Sequence, residues 1–369
     1  MKQRLDWLIV LFLITAFGPH ASGGTLKQIW EFDLKQVAEE GPGSHHFDVL
    51  PIFSLRFSPD GRRIAVLAGI NETRPDITGM FVVPTERPEK NVSRFEVHGA
   101  AAQQRSEIAP SFMWSPTGNG IIFNTTAIGL DAASACQLPE SAEASFIDAT
   151  HVFVRLFSPN RATTFQFFDP ACQLQGAAWR DGRQWLLKDV ALGRALVCLE
   201  DVNDGNTAII SPLTGKTVQT WHTTGMDHGV RFADSGKAIC GGGRTGTDGA
   251  TPLHCLDVDS GKLIAAARSI NGWAISASEN ASRVVSDDIS NVRIPFSHER
   301  GTIVKRRVIW DFRANQEVVS WAPPTQSYSD PRLSPPLHIR EPFVTAISSD
   351  GQYIVEGGNG IIRLFRINP

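Results

Sequence analysis

The sequence lacks an excess of charge of either sign. Its 369 residues include 35 Lys and Arg and 38 Asp and Glu, which leaves a formal net charge of -3. Domains that bind nucleic acids or anionic membrane surfaces usually carry a clear basic patch or a basic net charge. We therefore expect neither of them as a partner.

Long apolar runs are absent after the first 23 residues. Before that point, two basic residues precede an apolar run from Leu8 to Phe17, and small residues follow at 21–23. The run of about ten residues is short of the roughly 20 that span a bilayer, and this order is typical of a secretory signal peptide. An uncleaved N-terminal anchor is the alternative. The sequence predicts a signal peptide at 1–23, one domain over 24–369, no membrane span after cleavage, and export to the periplasm or beyond the cell.

Cysteine is scarce, with five in the chain and none in a Cys-x-x-Cys or other zinc-binding spacing. We expect no metal and no other cofactor. Export would permit disulfides. Cys240 and Cys255 fall on neighbouring predicted strands and could be cross-strand neighbours, but we expect most of the cysteines to be buried thiols that pack as small apolar residues.

Catalytic signatures are also missing. The chain has no Gly-x-Ser-x-Gly nucleophile motif, and its glycine-rich segment at 241–246 is not followed by a predicted helix. The motif belongs to α/β hydrolases, and a phosphate-binding loop needs a helix N-terminus behind it. These absences argue against a prolyl-oligopeptidase-like hydrolase and against a nucleotide-binding loop.

A short phrase is present in several copies: an aromatic or aliphatic residue, Ser or a small residue, a variable position, Asp or a substitute, and Gly. The copies are Phe57–Gly61, Trp114–Gly118, Phe232–Gly236 and Ile347–Gly351. Each copy follows a short alternating segment and precedes a second apolar run, as strands do. Asp can bond its own backbone, and Gly accepts a positive φ. Each copy therefore predicts a β-hairpin.

A second repeated piece, a strand, a Gly- or Asn-containing turn and another strand, lies between these hairpins at 208–218, 253–264 and 307–319. The two pieces together make a four-stranded antiparallel module with two apolar faces, which is stable only when it packs against other modules in a ring. The sequence predicts an all-β fold, a β-propeller. The spacing favours seven blades and leaves six or eight open.

The two ends of the mature chain fit ring closure. Ile29–Phe32 resembles Ile309–Phe312, and the last module has only three predicted strands, which end at 361–367. We expect the first strand to complete the last blade.

The chain resembles β-propellers of the WD40 or YVTN-like repeat kind, over essentially all of 25–369. The resemblance is carried by Phe57–Gly61, Trp114–Gly118, Trp310-Asp311 and Thr214–Lys216. The Gly-His pair of WD40 blades is absent and Trp-Asp occurs once, which favours a bacterial exported repeat type. The resemblance implies a binding scaffold for a protein or envelope partner, without catalysis. The alternative is a quinoprotein-dehydrogenase-like or lactonase-like enzyme with its site at the channel mouth.

Five polar residues are candidates for ligand binding. Asp227 and His228 fall between modules four and five, where a His-Asp pair could act as a general base or bind a metal, or simply stabilise the turn. Asp287, Asp288 and His298 fall in a predicted long loop of module six, which could line the channel mouth or be an ordinary polar loop. We expect no catalytic residue among them.

Overall fold

The chain forms a ring of seven four-stranded antiparallel sheets, the blades of a β-propeller. The computed structural model describes residues 24–39, 50–69, 77–98, 112–130, 135–139, 142–157, 162–221, 228–242, 244–245, 249–250, 252–272, 274–293, 300–330 and 337–368, and all structural statements concern these ranges. The predicted fold class, blade count and strand number per blade are confirmed.

The strands of the first four blades follow one another along the chain. Blade 1 holds β2 (Ile52–Phe57), β3 (Arg63–Gly69), β4 (Ile77–Pro84) and β5 (Ser93–His98). Blade 2 holds β6 (Phe112–Trp114), β7 (Gly120–Phe123), β8 (Thr126–Gly129) and β9 (Ala135–Gln137). Blade 3 holds β10 (Ala142–Phe146), β11 (Val152–Phe157), β12 (Thr163–Phe168) and β13 (Leu174–Asp181). Blade 4 holds β14 (Trp185–Ala191), β15 (Leu196–Asp201), β16 (Thr207–Ser211) and β17 (Lys216–Trp221), with a 3₁₀ turn at Leu192–Arg194.

The later blades carry additional short hairpins. Blade 5 holds β18 (His228–Ala233), β19 (Ala238–Gly242), β22 (Pro252–Asp257) and β23 (Leu263–Asn271), with a small hairpin of β20 (Arg244–Thr245) and β21 (Gly249–Ala250). Blade 6 holds β24 (Ala274–Ala277), β25 (Arg283–Arg293), β26 (Arg300–Asp311) and β27 (Gln316–Trp321). A hairpin of β28 (Thr325–Asp330) and β29 (Leu337–Pro342) follows. Blade 7 holds β30 (Val344–Ile347), β31 (Tyr353–Gly358), β32 (Ile361–Asn368) and β1 (Thr25–Asp33), and α1 (Leu34–Glu39) leads back to blade 1.

Apolar packing lies between neighbouring blades. The first strands of the blades contact one another in cyclic order around a central channel. Each of the seven junctions has its own cluster of buried apolar side chains. Second strands such as β3, where five consecutive residues are buried, are covered on both faces. The core is therefore a ring of sheet-to-sheet interfaces.

The N-terminal strand closes this ring, as the sequence predicts. β1 pairs antiparallel with β32 from Thr25 opposite Asn368 to Asp33 opposite Ile361. Trp30 of β1 packs into the apolar cluster between blades 7 and 1, and its indole Nε1 donates to the carbonyl oxygen of Thr85 at 2.7 Å. The closing strand is thus attached to both blades that it joins.

The repeated phrase forms the turn between the first and second strands of a blade. In blade 1 the Ser58 hydroxyl accepts a bond from the Arg63 amide at 3.0 Å and donates to Asp60 Oδ1 at 2.5 Å. Gly61 takes a φ of 70°. The same bonds recur in blade 7, where Ser348 accepts from the Tyr353 amide at 2.9 Å. The phrase is therefore a turn motif in which the serine hydroxyl accepts a hydrogen bond from a backbone amide of the turn.

The turn motif also joins neighbouring blades. Arg63 Nη2 donates to the carbonyl oxygen of Gly118 in blade 2 at 2.8 Å, and Arg283 Nη1 donates to Gly351 of blade 7 at 2.7 Å. Both acceptors are the glycines of the repeated phrase. A charged donor on one blade thus fixes the turn of the next.

The two ends of the ring differ in their connections. In an up-and-down sheet, the first-to-second and third-to-fourth connections lie at one end, here called the turn end. The second-to-third connections and those between blades lie at the other end, here called the ribbon end. In the described residues, three two-stranded hairpins belong to the ribbon end: β20–β21, β28–β29 and the outer part of β25–β26.

The hairpin of blade 6 extends past its sheet. β24 first pairs with β25 at Ala274 opposite Ser286, whereas β25 and β26 stay paired out to Arg293 opposite Arg300. The paired segments 288–293 and 300–306, here called the blade 6 ribbon, therefore project without the neighbouring strands of the blade.

The cysteines differ from the sequence-based expectation. Cys240 and Cys255 face each other across β19 and β22 and form a disulfide, so their predicted adjacency is confirmed. Cys136 and Cys172 form a second disulfide between blades 2 and 3. The expectation that most cysteines are buried thiols is wrong, because only Cys198 among them is free and buried. The link between Cys136 and Cys172 needs the contact between two blades, which sequence spacing does not reveal.

Among the residues that the structure describes, no helix has the length and apolar character needed to cross a bilayer.

A buried polar cluster supplements the apolar packing between blades 6 and 7. Arg307 forms a double contact with Asp287, from Nε at 2.6 Å and Nη2 at 3.0 Å. Its Nη1 donates to the carbonyl oxygen of Phe343 at 2.6 Å and to the Thr345 hydroxyl. Glu356 of blade 7 lies 4.0 Å from the same guanidinium. The cluster fixes the two blades to each other through a fully engaged arginine.

The closing strand gives the first prediction. Trp30→Ala should lower the free energy of unfolding by roughly 2–3 kcal/mol, because it removes a large partly buried side chain and the bond to Thr85. Lys27→Ala, an exposed change on the same strand, should stay within about 0.5 kcal/mol of wild type. Urea unfolding followed by circular dichroism measures both. Equal stability of the two variants would contradict closure of the ring by β1.

Glu356 gives a pH prediction. Burial raises the pKa of its carboxyl above the ordinary 4.5, against the opposing effects of Trp321 and Arg307. The folded protein then holds this proton more tightly than the unfolded chain does. Stability therefore falls as pH rises from about 4.5 through the folded-state pKa. Glu356→Gln removes this contribution, so the stability of wild type minus that of the variant should decrease as pH increases.

Urea midpoints across that pH interval provide the measurement. Glu89→Gln, an exposed carboxylate at the turn end, serves as the matched control. If the stability of wild type minus that of Glu356→Gln increased with pH, the raised pKa of Glu356 would be refuted.

Candidate functional site

The central channel contains a cavity of about 460 Å³ that is lined mainly by the first strands of the blades. Blades 1, 2, 4, 5, 6 and 7 contribute to its wall. Apolar side chains make up much of the wall, and six charged side chains line it: Arg56, Asp189, Arg231, Glu279, Asp287 and Arg307. The cavity is the candidate functional site.

Three of these charged residues occupy one level of the ring. The first hairpin of each of these blades pairs two residues that lie seven positions apart in the sequence: Phe57 with Ile64, Val190 with Val197, and Phe232 with Ile239. The residue directly before the first member of each pair is Arg56, Asp189 or Arg231. They are therefore equivalent positions in blades 1, 4 and 5, close to the turn end.

Side chains at this level bond to the next blade. Asp189 is buried, and its Oδ2 accepts from the Phe232 amide of blade 5 at 2.7 Å. Arg231 Nε donates to the carbonyl oxygen of Ile275 in blade 6 at 3.2 Å. Ser276, the equivalent residue of blade 6, accepts from the Ile347 amide of blade 7 at 3.2 Å. These polar residues join consecutive innermost strands.

Burial controls the ionisation of the acidic members. It raises the pKa of Asp189, although Arg231 and Arg56 act in the opposite direction. Burial also raises the pKa of Glu279, which lies two residues after the end of β24. The charge of Asp189 adds to this effect and Arg56 opposes it. Both carboxyl groups therefore hold a proton more readily than exposed ones.

The same surroundings change the pKa of the Arg56 guanidinium, which is a cation. Burial lowers its pKa to about 10, and the charge of Arg231 acts in the same direction, whereas Asp189 and Glu279 raise the pKa. The arrangement can bind a charged or polar ligand between two guanidinium and two carboxyl groups. Its carboxyls could also exchange protons with a ligand. Among the described residues, no group of three or more His, Cys, Asp and Glu is arranged to hold a metal ion.

The sequence-predicted site residues do not converge in one place. Asp287 and Asp288 lie in strand β25, so their predicted place in a loop is wrong. Asp287 reaches the cavity, and Asp288 accepts from Arg306 Nε at 3.1 Å at the base of the blade 6 ribbon. His228 is the first residue of β18 and stands opposite Gly242. Asp227 and His298 lie outside the described residues, so their predicted roles stay predictions.

Sequence reasoning missed the residues that do face one another in the channel: Arg56, Asp189, Arg231 and Glu279. A signal was present in blades 1 and 5, where Arg56 and Arg231 directly precede the aromatic residue of the repeated phrase. Blade 4 lacks the phrase, so Asp189 could be aligned with them only through the strand register.

The chain is similar to solved structures that include WD40 propellers. No protein-family model matches the chain, and no curated protein does. The WD40 domain of Neurospora crassa Pan2 has 11% identity and a TM-score of 0.56, and the match covers 94% of this chain and 96% of that one. A chain of the mitotic checkpoint complex has 12% identity and a TM-score of 0.55, with coverage of 100% and 98%. The RRP9 WD40 repeats have 12% identity and a TM-score of 0.54, with coverage of 94% and 100%.

At these identities the similarity concerns the fold alone, which is that of a seven-bladed WD40-like β-propeller.

Proposed function

We propose that this protein is an exported scaffold that binds a protein or envelope partner through its ribbon end and catalyses no reaction of its own. The observation that carries the proposal is the asymmetry of the ring. The three additional hairpins lie at one end, and compact turns dominate the other. Binding surfaces on rigid scaffolds are commonly built from such connections.

The blade 6 ribbon suits this role because it is long and anchored at its base. β25 and β26 have 11 and 12 residues, against 4 in the first strand of the same blade. At the base, Arg306 Nη1 contacts Glu317 at 2.8 Å and its Nε contacts Asp288 at 3.1 Å. A partner would therefore contact a ribbon whose direction is fixed at its base.

The hairpin of β28 and β29 is also fixed to the ring. The buried side chain of Gln326 accepts from the Ile52 amide at 3.2 Å and donates to the Ile52 carbonyl oxygen at 2.8 Å. It also accepts from the Asn359 amide at 3.3 Å. This hairpin thus spans blades 1 and 7 and supplies a second ordered element for a partner at the ribbon end.

A scaffold role agrees with how the charged groups of the channel are used. Asp287, Arg307, Asp189 and Arg231 each bond to the protein itself, mostly across a blade junction. The mitotic checkpoint complex, which contains a similar propeller, is by its name an assembly of proteins. The enzyme alternative has one observation in its favour, the meeting of four titratable groups near the turn end of the channel.

Export is supported by the two disulfides together with the predicted signal peptide. Cys136 pairs with Cys172, and Cys240 pairs with Cys255. Disulfides persist in oxidising compartments and are rare in the cytosol.

The scaffold proposal predicts loss of a partner when the ribbon is shortened. Ile289 and Val304 are paired, so residues 290–303 can be replaced by an Asn-Gly hairpin turn. Mild crosslinking in native envelope should give a defined adduct with wild type and none with the shortened protein. The adduct should persist in Leu213→Glu, which changes an exposed side chain at the turn end.

Both variants should keep the wild-type melting temperature. Isolation of wild type as a lone monomer after crosslinking would contradict the proposal, and so would an adduct that survives removal of the ribbon.

The export proposal predicts the thiol content of the full chain. Without reductant, the denatured protein should react with one equivalent of a thiol reagent, at Cys198, and with five equivalents after reduction. A chain that lacks residues 1–23 should stay in the cytosol and show five reactive thiols. Five thiols in the exported, unreduced protein would refute disulfide formation, and cytosolic full-length protein would refute export.

A further inference from the structure

Among the described residues, Arg56 is the one arginine of the channel whose side chain has no protein partner. Within the described part of the chain, its guanidinium forms no hydrogen bond and no ion pair, and only its carbonyl oxygen is engaged, by Trp114 Nε1 at 3.2 Å. The other charged groups at this level are engaged, since Asp189 accepts from Phe232 and Arg231 donates to Ile275.

The guanidinium of Arg56 points into the channel. Asp189, Arg231 and Glu279 all act on its charge, and they belong to blades 4, 5 and 6. None of these blades adjoins blade 1 in the ring. Their charges can reach Arg56 only across the central cavity, which Arg56 also lines.

The surroundings of Arg56 disfavour its charge, although its side chain keeps partial access to the channel. Guanidinium has five N–H donors and no acceptor, and donors that lose hydration without gaining a partner cost free energy. The neighbouring carboxylate of Asp189 attracts it without contacting it. The unfilled donors of Arg56 therefore define a site for an acceptor that comes from outside the chain.

The shape of the Arg56 guanidinium and the residues around it indicate which chemical class of ligand fits the site. The planar guanidinium fork matches the two oxygens of a carboxylate or phosphate. Phosphate tends to carry a second negative charge, which Asp189 and Glu279 would repel. Apolar side chains such as Phe57, Val190 and Ile347 line the rest of the cavity.

We propose that the channel binds a small monocarboxylate with an apolar body, whose carboxylate pairs with Arg56 and whose body lies against the apolar wall of the cavity. The site is separate from the ribbon end, so this proposal and the scaffold proposal can fail independently.

Isothermal titration calorimetry on the full folded chain tests the proposal with benzoate as the probe. Benzamide keeps the shape without the charge, and inorganic phosphate keeps the charge without the apolar body. Benzoate should bind to wild type, while benzamide and phosphate should bind at least about tenfold more weakly. No binding of benzoate, or equal binding of benzamide, would overturn the proposal. Tighter binding of phosphate would also overturn it.

Variants locate the site. Arg56→Gln should weaken benzoate binding at least about tenfold, and Arg62→Gln, an exposed arginine on the adjoining turn, should leave it unchanged. Glu279→Gln keeps Arg56 and removes a competing acid, so benzoate should bind as tightly as in wild type or more tightly. If Arg56→Gln does not fold, Arg56→Lys keeps the charge without the fork and should bind measurably more weakly. Wild-type affinity in the folded Arg56 variant would refute the assignment.

Discussion

Every blade has apolar side chains on both faces, and the need to cover both faces determines the architecture. A single four-stranded sheet would expose each face to water. Packing it between two others, all the way around, leaves no blade with an open face. Seven apolar clusters, one at each junction, provide this packing. The ring shape, the central channel and the closing strand all follow from it.

Polar contacts add direction to this apolar packing. The Arg63 and Arg283 contacts to the next turn, the Asp189 and Arg231 contacts along the channel, and the Arg307 cluster each connect one blade with the next. Apolar burial is non-directional, whereas these bonds fix how one sheet is placed against another. Charged residues near the channel of a propeller can therefore hold neighbouring blades together. Among the channel arginines that the structure describes, Arg56 stands out because its guanidinium lacks such a contact.

The fold could be predicted from the sequence because its signals are local. Phe57–Gly61 contains, in five residues, the strand end, the capping hydroxyl and the glycine with positive φ. The resemblance of Ile29–Phe32 to Ile309–Phe312 was sufficient to predict closure, which β1 and β32 confirm.

The channel cluster could not be predicted in the same way. Arg56, Asp189 and Glu279 come from three blades, and their meeting depends on strand registers and on the position of each blade in the ring. Asp287 is predicted to lie in a loop, whereas its pairing with Arg307 places this segment in the sheet. The Cys136–Cys172 bridge depends on the same non-local geometry.

The pairing of β1 with β32 has a consequence for biosynthesis. Of the strands that the structure describes, β1 is synthesised before the others and its partner β32 after them. Blade 7 therefore cannot assemble before β32 has been synthesised, and the junctions on either side of it remain incomplete until then. The ring stays open while the blades between these two strands are being made.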